Sequence, residues 1–80
     1  MDILIFKLAA LGDVLRTTPL LRPLLARYPN AKITWVTSNA ALPLLEGNPL
    51  LAETMVWGPQ AERKLSGRTV DLVLSLEEDE

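Results

Sequence analysis

The chain has 80 residues, fewer than most complete domains, and a chain of that length buries only about 60% of the surface its unfolded form exposes. It contains neither cysteine nor histidine, which excludes a disulfide framework and the usual ligands of a structural zinc site, so packing alone must hold it together. A net charge of -2 argues against non-specific binding to nucleic acid, and its apolar stretches are broken everywhere by Arg, Asp, Pro or Asn, so none reads as a membrane span.

No basic segment precedes the first apolar run, so the N-terminus does not read as a secretory signal and a cytoplasmic protein is expected. Ile3-Leu4-Ile5-Phe6 is a continuous apolar run, the pattern of a parallel strand covered on both faces. After Lys7, Leu8-Ala9-Ala10-Leu11-Gly12 reads as a turn, with Asp13 at the N-cap of a helix. Val14, Thr18, Leu21, Leu25 and Tyr28 follow at steps of four and three and share one helical face, which should lie on the sheet. Pro19 and Pro23 each remove an intrahelical hydrogen bond. Either Thr18 caps a second helix with Pro19 at its first position, or one helix is kinked. Arg16, Arg22 and Arg27 on this region read as solvated surface.

Lys32-Ile33-Thr34-Trp35-Val36-Thr37 is β-branched and aromatic, a second strand. Ser38 is placed to cap a short helix from about Asn39 to Glu46, stopped by Gly47 and Asn48-Pro49. Thr54-Met55-Val56-Trp57 is a third strand, closed by Gly58-Pro59. Gln60 to Leu65 follows as a helix, Ser66-Gly67-Arg68 as a turn, and Val70 to Leu76 as a fourth, buried strand. Trp35 and Trp57 both fall in strand patterns, and core packing is expected of both. This alternation specifies an α/β fold with an open parallel sheet, flanking helices and right-handed crossovers.

In such a sheet, ligands bind beyond the carboxyl ends of the strands, which directs attention to the turn after the first one. That turn has a single glycine, Gly12, and Thr37-Ser38 stand where a ribose-binding carboxylate would end the second strand, so a nicotinamide dehydrogenase is not expected. No Gly-Lys-Ser or Gly-Lys-Thr occurs, so a Walker loop is absent. A carboxylate at Asp13 repels phosphate, and the helix dipole stabilises its charge by roughly 0.3 to 1 kcal/mol in exposed settings. Spacing leaves two roles open for it, a helix cap or a general base that takes a proton from a sugar hydroxyl.

The stretch from Ile3 through Lys7, Gly12-Asp13-Val14 and Thr17-Thr18-Pro19 to Arg22 resembles the N-terminal signature of glycosyltransferase family 9, the lipopolysaccharide heptosyltransferases. The resemblance continues through Tyr28 to Val36, Gly47-Asn48-Pro49 and Val70 to Leu74. It implies residues 1–80 to be the N-terminal portion of the acceptor-side Rossmann-like domain of a GT-B glycosyltransferase. Such enzymes are inverting and metal-independent, and their second domain binds the nucleotide-sugar donor. The implied reaction moves a sugar, heptose from ADP-heptose, to a lipopolysaccharide-core acceptor. Asp13 matches the family's general base. Lys7, Ala10, Leu11, Gly12, Thr17 and Thr18 fall beside the acceptor, with Lys7 either facing an acidic sugar or phosphate or reaching into water. Peripheral contact with the cytoplasmic face of the inner membrane follows from such an acceptor.

Many members carry serine where this chain has Ala9 and Ala10, and Asp-Leu-Gln-Gly where it has Ser75-Leu76-Glu77-Glu78. The acidic run Glu77 to Glu80 has no evident partner ligands and reads as a cap for a following helix or a solvated end rather than a metal site. Two other readings remain: a non-catalytic flavodoxin-like binding or signalling module, and a truncated product without independent function. A phosphoacceptor receiver would want an aspartate where the third strand ends, and Trp57-Gly58 stand there.

Overall fold

The apolar run at the N-terminus forms the strand β1, Asp2–Phe6, and it is covered on both faces as its composition demands. A computed structural model describes residues 1–77, so Glu78, Asp79 and Glu80 of the acidic run lie outside the described residues. Helix α1 is Leu11–Thr17, α2 is Leu21–Arg27, β2 is Lys32–Thr37, α3 is Leu42–Leu45, β3 is Glu53–Val56, α4 is Pro59–Ser66 and β4 is Leu72–Ser75. The four strands make one parallel sheet in the order β3-β2-β1-β4. The chain therefore steps outward twice from β1 and then returns to β1's other side, which creates a topological switch between β1 and β4.

Alternation along the strands divides the core into two layers. Ile3, Ile5, Ile33 and Trp35 point to one face and pack with Val14, Leu21, Ala41 and Leu45. Leu4, Val36 and Met55 point to the other, where Ala61 of α4 meets them. Among the described residues the first layer is held by α1, α2 and α3, and the second by α4.

The proline-bearing helix resolves into two helices joined by a 3₁₀ turn, Thr18–Leu20, with Pro19 at its start. Pro19 has no N–H to offer Leu15, and the Thr18 hydroxyl donates to the Leu15 carbonyl instead (2.8 Å). Pro23 then falls in the first turn of α2, where its missing N–H has no intrahelical partner to lose. Neither a side-chain cap by Thr18 nor a single kinked helix describes this: no side chain caps either segment. The apolar face survives the break, since Val14 and Leu21 are fully buried and Leu25 and Tyr28 pack against them.

Helix α3 is shorter than Asn39–Glu46 because Pro43 sits in its first turn and cannot donate to Asn39. Ser38 acts just ahead of the helix, its hydroxyl and carbonyl oxygens accepting the Ala41 N–H in a turn. Gly47 ends α3 at φ +82, the left-handed conformation that favours glycine. Two burial expectations fail at the sheet edges. Among the described residues strand β4 has only β1 beside it, and it leaves Val73 55% exposed, so it is not buried. Trp57 lies one residue beyond β3, also an edge strand, and is 45% exposed while Trp35 is fully enclosed.

Candidate functional site at the carboxyl edge

The switch between β1 and β4 places the Lys7–Ala10 segment and the Leu76-Glu77 segment side by side at the carboxyl edge. The Leu76 N–H donates to the Phe6 carbonyl (2.9 Å), and the Leu8 N–H donates to the Glu77 carboxylate. Glu77, itself exposed, therefore links the ends of two strands. The peptide between Ala9 and Ala10 is cis, and Ala10, in extended conformation, precedes the first residue of α1.

Helix α1 starts three residues earlier than the sequence pattern implies. Ala10 holds the N-cap position, Leu11 and Gly12 are already helical, and Asp13 is the third residue of the helix. Asp13 is not the N-cap, because the chain leaves extended conformation at Ala10 and its carbonyl already accepts the Val14 N–H (2.9 Å). At the third position a carboxylate still lies in the favourable field of the helix start. The Asp13 side chain is 45% exposed and its nearest cation is Arg16, at 3.8 Å on the next turn. That separation and exposure leave the carboxylate open to an incoming hydroxyl.

Lys7 does not reach into water: it is only 4% exposed. Its backbone extends the β1–β2 pairing by one step, the N–H donating to the Val36 carbonyl (3.1 Å) and the carbonyl accepting the Trp35 indole N–H (3.3 Å). Among the described residues its ammonium has no carboxylate within ion-pair distance. Thr37 ends β2, one step past the paired residues Phe6 and Val36. Its hydroxyl is buried without a hydrogen-bond partner among the described residues. No residue pattern signals that orphaned hydroxyl, since a threonine ending a strand looks ordinary.

Lys7, Ala10, Leu11, Gly12 and Asp13 thus gather at one edge, with Leu11 about half exposed. Thr17 and Thr18 stand apart, four and five residues along the helix from Asp13, or about 6 and 7.5 Å along its axis. Their hydroxyl protons are committed to the helix, Thr17 to the Asp13 and Val14 carbonyls (2.8 and 2.9 Å) and Thr18 to that of Leu15.

The larger grooves lie elsewhere. One of about 340 Å³ opens at the amino ends of β1 and β2, beside Arg68. Another of about 610 Å³ lies between the 3₁₀ turn and the end of α3, beside Arg22 and Glu46. Neither includes Asp13 or Lys7, and a carboxyl edge is the expected ligand-binding side of such a sheet whether or not it is enclosed. No group of three or more acidic side chains gathers into a metal-binding cluster among the described residues, and no helix there is long and apolar enough to cross a membrane.

No protein-family profile and no curated protein matches the chain by sequence. Among solved structures, the chain is similar to the crystal structure of a glycosyl transferase family 9 protein from Veillonella parvula DSM 2008. The TM-score is 0.84 at 27% sequence identity, over 98% of this chain and 26% of that one. The chain therefore spans about a quarter of that protein's length and shares its fold there.

Proposed function

We propose that the chain is the acceptor-side, N-terminal part of an inverting glycosyltransferase with Asp13 as its general base. The observation that supports this best is the likeness of nearly the whole chain to part of a glycosyl transferase family 9 protein. In the proposed reaction an acceptor hydroxyl loses its proton to the Asp13 carboxylate as its oxygen attacks the anomeric carbon of a nucleotide-diphosphate sugar. The new bond joins acceptor oxygen to that carbon, and the bond from the carbon to the diphosphate oxygen breaks. The nucleoside diphosphate leaves with the electron pair. Stabilisation of that leaving group falls to a donor-binding domain outside this chain.

In the finer form of the proposal, ADP-heptose is the donor and a lipopolysaccharide-core sugar at the cytoplasmic face of the inner membrane is the acceptor, as the Gly12-Asp13-Val14 and Thr17-Thr18-Pro19 signature suggests. Lys7 would face an acidic group of the acceptor, with Ala10, Leu11 and Gly12 forming the wall beside it. Thr17 and Thr18, whose protons are engaged, would meet the acceptor through their oxygens. The test is sugar transfer by the complete polypeptide that carries this sequence, comparing Asp13 with Asp13→Asn. A general base of this kind contributes at least about a hundredfold, so kcat falls by that factor with little change in acceptor KM. Transfer at the unmodified rate would overturn the role of Asp13 and leave it a helix-start carboxylate.

A further inference from the structure

We infer that the exposed indole of Trp57 is a stacking platform for a pyranose ring at the carboxyl edge of the sheet. This rests on the glycosyltransferase reading for the kind of ligand, and on the geometry of Trp57 for the place.

Trp57 differs from the chain's other tryptophan in every respect that matters. Trp35 is fully buried and its indole N–H is spent on the Lys7 carbonyl, whereas Trp57 is 45% exposed and its indole N–H has no acceptor among the described residues. A large aromatic surface left in water is a lost contribution to folding, so its position is informative. It sits at the end of β3, on the same edge of the sheet as the start of α1. Two steps from Met55, it continues the sheet face that carries Val36 and Phe6, and it leans across the end of β2 onto β1. There it meets Phe6, the residue before Lys7, ring against ring at 5.4 Å and 74°.

That contact fixes the indole without covering it. An edge-to-face arrangement uses one face or one edge of a ring, so at least one indole face is left clear of Phe6. The backbone is pinned on both sides: the Trp57 N–H donates to the Thr37 carbonyl (2.9 Å), and Pro59 opens α4 two residues later. A ligand that stacks here has no side chain to order first, which favours weak, fast recognition of a flat apolar surface. The C–H face of a pyranose is such a surface, and its slightly positive hydrogens suit the negative face of the indole. A nucleobase is less favoured, since Trp57 is the sole exposed aromatic ring of this edge among the described residues and the chain is net acidic.

The experiment is a titration of the chain, followed through its two indole N–H resonances, with methyl α-D-mannopyranoside and methyl β-D-glucopyranoside as probes and adenosine as the competing chemistry. The pyranosides are expected to move the Trp57 resonance saturably and to leave that of Trp35 in place. Trp57→Leu, which keeps an apolar side chain but removes the ring, weakens binding about tenfold as read from the Gly58 and Phe6 amides, and Trp57→Tyr retains most of it. A Trp57 resonance unmoved up to the solubility of both pyranosides overturns the proposal. So does movement with adenosine alone, or a change of Trp57 emission with protein concentration that marks a second copy as the occupant. The complete polypeptide carrying Asp13→Asn separates the two readings when its transfer is set beside the titration of the chain. If it still transfers sugar while pyranosides move Trp57, the base fails and the platform stands; if it loses transfer while Trp57 stays unmoved, the platform fails alone.

Discussion

Replacing Leu21 by alanine probes how the broken helix is anchored. Leu21 is the first residue of α2 and is fully buried among Ile3, Ile5, Ile33 and Trp35 of the sheet and Leu45 of α3. Two hydrogen-bonded strands form the floor of that site, so it cannot collapse around a lost isobutyl group, and the cost belongs in the upper part of the usual range, roughly 3–5 kcal/mol. A chain of this length is expected to be stable by about 4–12 kcal/mol in total, so the substitution removes about a quarter of it or more. The melting temperature falls by more than about 12 °C. Leu20 supplies the control: adjacent in sequence and of the same chemistry, it is 36% exposed, and its replacement should cost about 1–2 kcal/mol. Urea unfolding followed by circular dichroism compares the two at equal m-value. Equal losses from Leu20→Ala and Leu21→Ala would refute the argument that burial on the sheet, rather than helix formation, holds this segment.

Gly47→Ala should destabilise by about 1–2 kcal/mol because alanine is strained at φ +82, whereas Gly67→Ala, with open space around it and ordinary backbone, should be neutral or slightly favourable in the same unfolding assay. Glu53 carries the acid-sensitive contact of the fold. Two guanidinium N–H groups of Arg68 donate to its carboxylate (2.7 and 3.2 Å), and these bonds hold its pKa below the ordinary 4.5, with the Arg68 and Lys64 charges acting in the same direction and partial burial opposing them. A depressed folded pKa stabilises above the unfolded value and loses that contribution as pH falls through the folded one. Arg68→Gln should therefore be less stable than the unmodified chain at neutral pH by much less than Leu21→Ala, and the gap should close well below pH 4.5. A gap that persists at low pH would show that Arg68 acts through packing instead.

The elements that were legible from the residues are those whose patterns are decided locally. The unbroken run Ile3 to Phe6 announced a strand covered on both faces, and the spacing of Val14, Leu21 and Leu25 announced the face that meets the sheet, break or no break. What escaped was decided by distant partners. Whether Asp13 caps the helix depends on where the chain leaves β1, and that segment is held by Leu76 and Glu77 from the other end of the molecule. Trp57 has strand propensity, but its exposure follows from β3 being at the sheet edge, which only the strand order decides. Lys7 looks like any lysine at a strand end until β2 closes beside it. The gathering of Lys7, Gly12 and Asp13 was visible because the three are close in sequence; the nearness of Thr37 and Trp57 was not.

The strand order also has a consequence for how the chain is made. β1 is translated first, yet its two partners arrive at very different times: Ile3 pairs with Ile33, 30 residues on, and with Leu72, 69 residues on. Closing the longer loop costs only about 0.7 kcal/mol more, so equilibrium hardly notices. A ribosome-bound chain does, because Leu4 and Phe6 face the side that α4 covers, and α4 ends only at Ser66. Until then the first of these four strands has one open edge and one open face, and the interval in which α4 and β4 emerge is when this sheet is most exposed to mispairing.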